Sequence, residues 1–88
     1  MTYQTEFPDF VLDVTIPDGF VDQSWHNDAC PCFVDMERGL TLFIDDGDPA
    51  KRDVASSARF ILCDMNGDVN IETNDWSVIV HALEQGDI

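Results

Sequence analysis

The stretch RFILCDMNGDVNIET, residues 59–73, decides the fold of this chain. Its two apolar-rich halves flank Asn66-Gly67, a pair that suits the positive φ angles at both central positions of a type I′ turn. In the second half, Val69 and Ile71 alternate with a polar set that predicts an acidic outer face: Asp68, Asn70 and Glu72. The stretch therefore predicts an antiparallel β-hairpin.

Alternation of apolar and polar residues predicts a second hairpin upstream. Cys32, Val34 and Met36 alternate with Asp35 and Glu37 up to a turn at Arg38-Gly39. A second apolar set, on the same side, continues until the sequence DDGDP: Leu40, Leu42 and Ile44. So short a connection between two alternating runs is typical of a hairpin.

A first strand is predicted nearer the N-terminus. Phe10, Leu12, Val14 and Ile16 share one parity, and the turn sequence Pro17-Asp18-Gly19 follows them.

The period changes to that of a helix after residue 73. Trp76, Ile79, Val80 and Leu83 form an apolar stripe at helical spacing. The capping residues are predicted to be Asn74 with Asp75 at the start and Gly86 at the end. Residues 1–88 are thus expected to form one small α+β domain, an antiparallel meander of about five strands with one C-terminal amphipathic helix packed on one face.

Charge is the extreme feature of the composition. Eighteen acidic residues against four Lys and Arg give a net charge of −14, whereas a small domain usually needs a magnitude of about 2–8 for solubility. A chain with four cations cannot form the basic face that a direct nucleic-acid binder needs. Halophilic adaptation, calcium binding and contact with a basic partner surface are the physical explanations that remain.

The cysteine count and the N-terminus suggest the compartment. Three cysteines, with neither a basic leader pattern nor an apolar run of about 20 residues, favour a cytoplasmic protein with reduced thiols rather than a secreted or membrane protein.

The segment SWHNDACPCF, residues 24–33, is the first of two candidate metal sites. With Cys63 from another strand it offers the ligand count of a Cys₃His zinc site: His26, Cys30, Cys32 and Cys63. However, Cys-Pro-Cys is shorter than the usual zinc knuckle, and buried cysteines in strands are ordinary. We therefore favour a structural role, the entry of a loop into a strand.

The segment DMNGDVNIETND, residues 64–75, resembles the calcium loop of EF-hands and dockerins. The resemblance implies a set of oxygen ligands at matching positions: Asp64, Asn66, Asp68, Glu72 and Asp75. Val69 occupies the sixth position, where these loops need glycine. The glycine two places earlier suits a hairpin, so we prefer neither metal and expect no cofactor.

No nucleophile, phosphate-binding or metalloprotease motif occurs, and we expect no enzyme activity. Carboxylates two positions apart on a strand lie about 6.8 Å apart, twice the ~3.4 Å rise per phosphate of one DNA strand. The residues expected to contact a partner are acids of such strand rows, acids of the loop cluster that follows Ile44, and one aromatic residue on a loop: Asp35, Glu37, Asp45, Asp46, Asp48, Asp68, Glu72 and Trp25.

In length, acidity and lack of catalytic motifs, the chain resembles the small inhibitors of phages and mobile elements that include anti-CRISPR and anti-restriction DNA mimics. The resemblance implies a protein partner with a basic nucleic-acid-binding site, with a CRISPR-Cas effector complex preferred, and the host-cell cytoplasm as its location. A small metal-binding module and an acidic regulatory or antitoxin-like protein are the alternatives. The sequence leaves monomer and homodimer open.

Overall fold

The chain folds into one five-stranded antiparallel sheet and a C-terminal helix, which confirms the predicted fold class. The computed structural model describes residues 2–52 and 57–86. The elements in chain order are α1 (Tyr3–Glu6), β1 (Val21–Asp22), β2 (Cys32–Asp35), β3 (Leu40–Ile44), a 3₁₀ turn (Pro49–Lys51), β4 (Phe60–Asp64), β5 (Val69–Thr73) and α2 (Trp76–Gln85). The strands lie in the sheet in the same order as in the chain.

One face of the sheet carries the hydrophobic core. Phe33, Leu42 and Leu62 lie opposite one another on β2, β3 and β4, so their side chains point to the same side. With α2 they form the buried cluster: Phe33, Leu40, Leu42, Ile44, Phe60, Leu62 and Ile79. Burying each such side chain stabilises the fold by about 1.5–3 kcal/mol, so this layer dominates its stability.

A four-residue turn sets the register between β2 and β3. Asp35 pairs with Leu40, and its carboxylate accepts hydrogen bonds from the backbone N–H groups of Glu37 and Arg38, both at 3.0 Å. This register places Phe33 and Asp35, rather than Cys32 and Val34, on the same face as Leu40. The predicted parity of β2 is therefore wrong, because the sequence pattern does not fix the number of residues in the turn.

The same turn is joined to the chain that precedes β1. Arg38 donates to Asp35 and to the carbonyl oxygen of Asp18, and its guanidinium lies 5.4 Å from the centre of the Phe20 ring. Gly19 has a φ of 95°, and a Cβ there would lie 2.7 Å from a carboxylate oxygen of Asp35. Five residues therefore connect the β2–β3 turn to the chain before β1: Asp18, Gly19, Phe20, Asp35 and Arg38.

The predicted first strand over Phe10–Ile16 is not a strand. Its side chains alternate between half-buried and exposed as predicted, and Phe10, Leu12, Val14 and Ile16 pack against the core. No sheet ladder includes this segment among the described residues, and β1 forms later in the chain, at Val21–Asp22. The segment covers the sheet through its side chains, so it has the burial period of a strand without its hydrogen bonds.

The β4–β5 hairpin is confirmed, but its turn differs from the prediction. Gly67 has a positive φ of 86°, whereas Asn66 does not, which excludes a type I′ turn. The N–H of Gly67 donates to the carbonyl of Asp64, as in a longer hairpin loop that ends in a glycine. A register shift then places Val69 opposite Cys63 and Ile71 opposite Leu62, on opposite faces of the sheet.

The C-terminal helix has the predicted length and end, with a different cap. Asp75, rather than Asn74, is the N-cap, and its carboxylate accepts from the N–H of Ser77 at 3.0 Å. The side chain of Asn74 instead accepts from the N–H of Arg59 at 2.8 Å. This contact connects the start of the helix to the start of β4.

The sheet face opposite the core is only partly buried. Val21 and Val69, on the two outer strands, are 59% and 49% exposed. Cross-strand register and alternation assign nine residues to this side, which we call the open sheet face: Val21, Cys32, Val34, Thr41, Phe43, Ile61, Cys63, Val69 and Glu72.

The β2 register has a direct test. Phe33→Ala removes a side chain that is 3% exposed, and we expect it to lower the free energy of unfolding by about 3–5 kcal/mol. Val34→Ala, on the open sheet face, should lower it clearly less. Urea unfolding of both variants measures the difference, and an equal or reversed order would contradict the register.

Candidate partner-binding surface

Asp35 does not belong to an exposed acidic row. It is 3% exposed and forms an ion pair with Arg38 at 2.5 Å. The hydrogen bonds from the backbone and side chain of Arg38 lower the pKa of Asp35, so the carboxylate is charged but directed inward. The prediction that it contacts a partner is therefore wrong, because the register turns it toward the protein.

The other predicted acids lie in separate parts of the surface. Glu37 lies in the β2–β3 turn and Asp68 at the end of the β4–β5 loop, which share one end of the sheet because β2 and β4 run in the same direction. Asp45, Asp46 and Asp48 follow β3 and lie at the opposite end. Five-residue strands place the two ends about 14 Å apart.

A groove of about 750 Å³ lies at the end that carries Asp45 and Asp46. Apolar residues of the N-terminal segment and of the loop before β2 form much of its wall, and one cation, Lys51, reaches it. Its lining also includes four carboxylates: Glu6, Asp9, Asp45 and Asp46. The structure thus places the loop acids Asp45 and Asp46 beside two acids of the N-terminal segment, Glu6 and Asp9.

Three of the four cations are engaged in contacts within the fold. Arg38 pairs with Asp35, Arg59 pairs with Asp13, and Arg52 donates to the backbone carbonyls of Asp46 and Ser57. Four cations can neutralise at most four of eighteen carboxylates, so a charge of −14 remains whatever the pairing. The protein therefore has a strongly negative field.

The segment SWHNDACPCF has the structural role that the sequence favoured. Cys30, Pro31, Cys32 and Phe33 are buried as the chain enters β2, and the N–H of Cys32 donates to the buried hydroxyl of Ser24 at 3.2 Å. Before this entry, two exposed rings lie 4.1 Å apart, those of Trp25 and His26. Trp25 is therefore accessible to a partner, beside the contact of 3.0 Å between His26 Nδ1 and Glu6 Oε1.

The proposed zinc ligands are not assembled into a site. Within residues 2–52 and 57–86, no three His, Cys, Asp or Glu side chains are arranged to hold a metal ion. Burial, with a contribution from Asp28 and Asp22, raises the pKa of Cys32 to about 11, and burial also raises that of Cys63. Both thiols are therefore protonated at neutral pH.

The proposed calcium ligands belong to local turns. The carboxylate of Asp64 accepts from the backbone N–H groups of Asn66 and Asp68, at 2.9 and 3.0 Å. Asp75 caps α2 and accepts from the hydroxyl of Ser77 at 2.7 Å, and the hydrogen bonds from Ser77 lower its pKa. These residues thus stabilise a hairpin and a helix start rather than converge on one point.

Sequence reasoning missed the open sheet face. Its apolar members were assigned to the core, as with Cys32 and Val34, or not assigned to a surface, as with Phe43 and Ile61. The signal was present, since LFI at residues 42–44 and FILC at residues 60–63 are consecutive apolar runs within strands. Such runs indicate a strand with apolar side chains on both faces.

Comparisons with known proteins returned no relative of this chain. No protein-family model, no curated protein and no solved structure matches it. Neither helix in the described part of the chain has the length and apolar character needed to cross a membrane.

The buried carboxylate of Asp35 predicts a pH-dependent loss of stability. Its pKa is lowered on folding, so its contribution is present above the unfolded value of about 3.9 and is lost as the pH falls through the folded value. We expect Asp35→Asn to be less stable than the parent protein near pH 7, with a deficit that narrows near pH 3.

Urea unfolding at both pH values measures this deficit, and Glu37→Gln in the same turn is the matched control. The comparison with the parent at each pH removes the general effect of protonating other carboxylates. A deficit of equal size at both pH values would contradict the assignment.

The raised pKa of Cys32 predicts low reactivity. In the folded protein near pH 8, we expect Cys32 to remain unmodified by iodoacetamide, because the thiol is buried and is not ionised until the pH approaches its value of about 11. In denaturant the same cysteine should react rapidly. Peptide mass spectrometry measures both, and rapid modification in the folded state would contradict this environment.

Proposed function

We propose that this protein is a non-enzymatic inhibitor that binds a basic nucleic-acid-binding surface of a protein partner and occupies it as an acidic DNA mimic. A CRISPR-Cas effector complex is the preferred partner. The proposal rests on one observation: a net charge of −14 on a body that measures 32 × 27 × 24 Å, with three of its four cations engaged in contacts within the fold.

The charge density supports mimicry of a duplex. The longest dimension, 32 Å, is close to one turn of B-DNA, about 34 Å. Duplex DNA carries one negative charge per ~1.7 Å, so the same length of DNA carries about 19 charges. A protein charge of −14 over this length is of the same order.

The arrangement of the acids supports contact across more than one phosphate-binding position. Glu37 and Asp68 lie at one end of the sheet, and the group Asp45, Asp46 and Asp48 lies at the other. Their separation of about 14 Å corresponds to about four phosphate steps along one DNA strand. Glu72, on the open sheet face, lies between these ends.

The inhibition involves no covalent step. Opposite charges accelerate the encounter with the basic surface, and the bound protein then excludes nucleic acid from that surface by occupancy. Because the attraction is between charges exposed to water, association slows as ionic strength rises.

Charge reversal tests the proposal. The triple variant Glu37→Lys, Asp68→Lys, Glu72→Lys changes three side chains that lie on the exposed surface. We expect it to lose at least about tenfold in apparent affinity when it competes with DNA for a purified Cas effector complex, because it converts attraction into repulsion.

A control variant, Asp18→Lys, His81→Lys, Glu84→Lys, Gln85→Lys, makes the same change of net charge at exposed positions outside the proposed contact set and outside the groove that carries Asp45 and Asp46. It should retain most of the inhibition. Circular dichroism and urea unfolding establish that both variants fold. If the parent fails to displace DNA, or if the first triple variant competes as well as the parent, DNA mimicry is wrong.

A further inference from the structure

The open sheet face has the composition of an interface rather than of a solvent-exposed sheet surface. A sheet with one face in water usually carries polar residues on that side. Here seven of the nine positions are Val, Ile, Phe or Cys, and the other two are Thr41 and Glu72. The core cluster includes none of these nine side chains.

The middle of this face is aromatic and its surroundings are acidic. Phe43 lies on the central strand, between Cys32 on β2 and Ile61 on β4 in the same cross-strand row. Glu72 ends that row at the sheet edge. A central aromatic anchor among aliphatic side chains, with charged groups at the margin, is the usual anatomy of a protein interface.

Two carboxylates lie near the buried thiols of this face. Glu72 shares the face, and Asp28 lies in the loop before β2; they add to the burial that raises the pKa values of Cys63 and Cys32, whereas the register places Asp22 and Asp64 on the core side of the sheet. The nine residues of the face include no Lys, Arg or His. The face is therefore apolar at its centre and negative at its margin.

We infer that the open sheet face is the surface through which this protein contacts its partner, and that the partner presents apolar side chains framed by lysine or arginine. The inference rests on the proposed function, for which it supplies the site of specific contact. Carboxylates at the margin attract the basic frame of the partner, and Phe43, Ile61 and the edge valines bury against its apolar centre.

Charge complementarity selects this occupant over the other candidates. A second copy of the chain would bring a second charge of −14 and the same carboxylates against this margin. A nucleic acid would be repelled for the same reason. A protein partner with apolar side chains framed by basic ones is complementary to both the apolar centre and the negative margin of the open sheet face.

A synthetic peptide of alternating leucine and lysine is the probe for this chemistry, used below the concentration at which it associates with itself. A peptide of alternating serine and lysine has the same charge without the apolar side chains. Fluorescence anisotropy at low and high salt measures the binding of both. We expect the parent protein to prefer the leucine peptide by about tenfold at high salt, where the charge attraction is screened.

The test variant is Val34→Thr, Ile61→Thr, Val69→Thr, which keeps the net charge and the β-branched side chains of the strands. It should lose the preference for the leucine peptide and bind the serine peptide as the parent does. The control variant, Val11→Thr, Met36→Thr, Met65→Thr, alters three exposed apolar residues outside the face and should keep the preference.

A second, milder variant tests the inference even if the triple variant does not fold. Val21→Thr with Val69→Thr changes only the two half-exposed edge positions and should still reduce the preference several-fold. If the folded test variants keep the full preference, the inference is overturned. Sedimentation that shows a dimer of the parent, converted to a monomer by the test variant, would overturn it in favour of a second copy.

These outcomes are separable from those for DNA mimicry. The peptide comparison contains no nucleic acid and depends on apolar side chains, whereas the competition with DNA depends on carboxylates. If the charge-reversed protein fails to compete while the open-face variant competes normally, the proposed function stands and this inference fails. If the parent does not displace DNA but retains the leucine preference that the open-face variant loses, the contact surface stands without the mimicry.

Discussion

The pairing of Asp35 with Leu40 across a four-residue turn is the constraint on which the rest of the structure depends. The carboxylate holds the turn through two backbone N–H groups and Arg38, and Arg38 in turn contacts Asp18 and Phe20 ahead of β1. Because a shift of one residue would exchange the two faces of β2, this turn determines that Phe33 enters the core. It also determines that Val34 is left for the open sheet face.

Most of the strands and the helix could be predicted from the sequence, but the register in which the strands pair could not. The last hairpin and the helix could be predicted because their turn and periodicity signals are local, within residues 59–86. The register of β2 could not be predicted, because parity across a turn depends on its length and on a side-chain hydrogen bond. Likewise, the alternation over residues 10–16 indicates which side chains are buried. An extended segment with one buried side has this pattern whether or not its backbone pairs with a strand, so the pattern alone does not predict a strand.

The charge of the candidate surface could be predicted from the sequence, but the positions of its acidic residues could not. A count of residues establishes the negative field, since no arrangement can neutralise −14 with four cations. Which acids lie together depends on the direction of the strands, which brings Glu37 and Asp68 to one end. Whether a given acidic residue is buried is harder to predict than its place on the sheet, as the inward position of Asp35 shows. The apolar runs in β3 and β4 indicate a second apolar face, but Phe43 and Ile61 were assigned to no surface from the sequence.

The close approach of Gly19 to Asp35 has a consequence for how this sequence can vary. A side chain at position 19 would need a positive φ and would meet one oxygen of the Asp35 carboxylate, a group that three hydrogen bonds hold in place. Residues 19 and 35 are sixteen positions apart, yet neither can change freely without the other. We expect chains that share this fold to carry glycine at the first position wherever they keep the carboxylate at the second, so that the two positions vary as a pair.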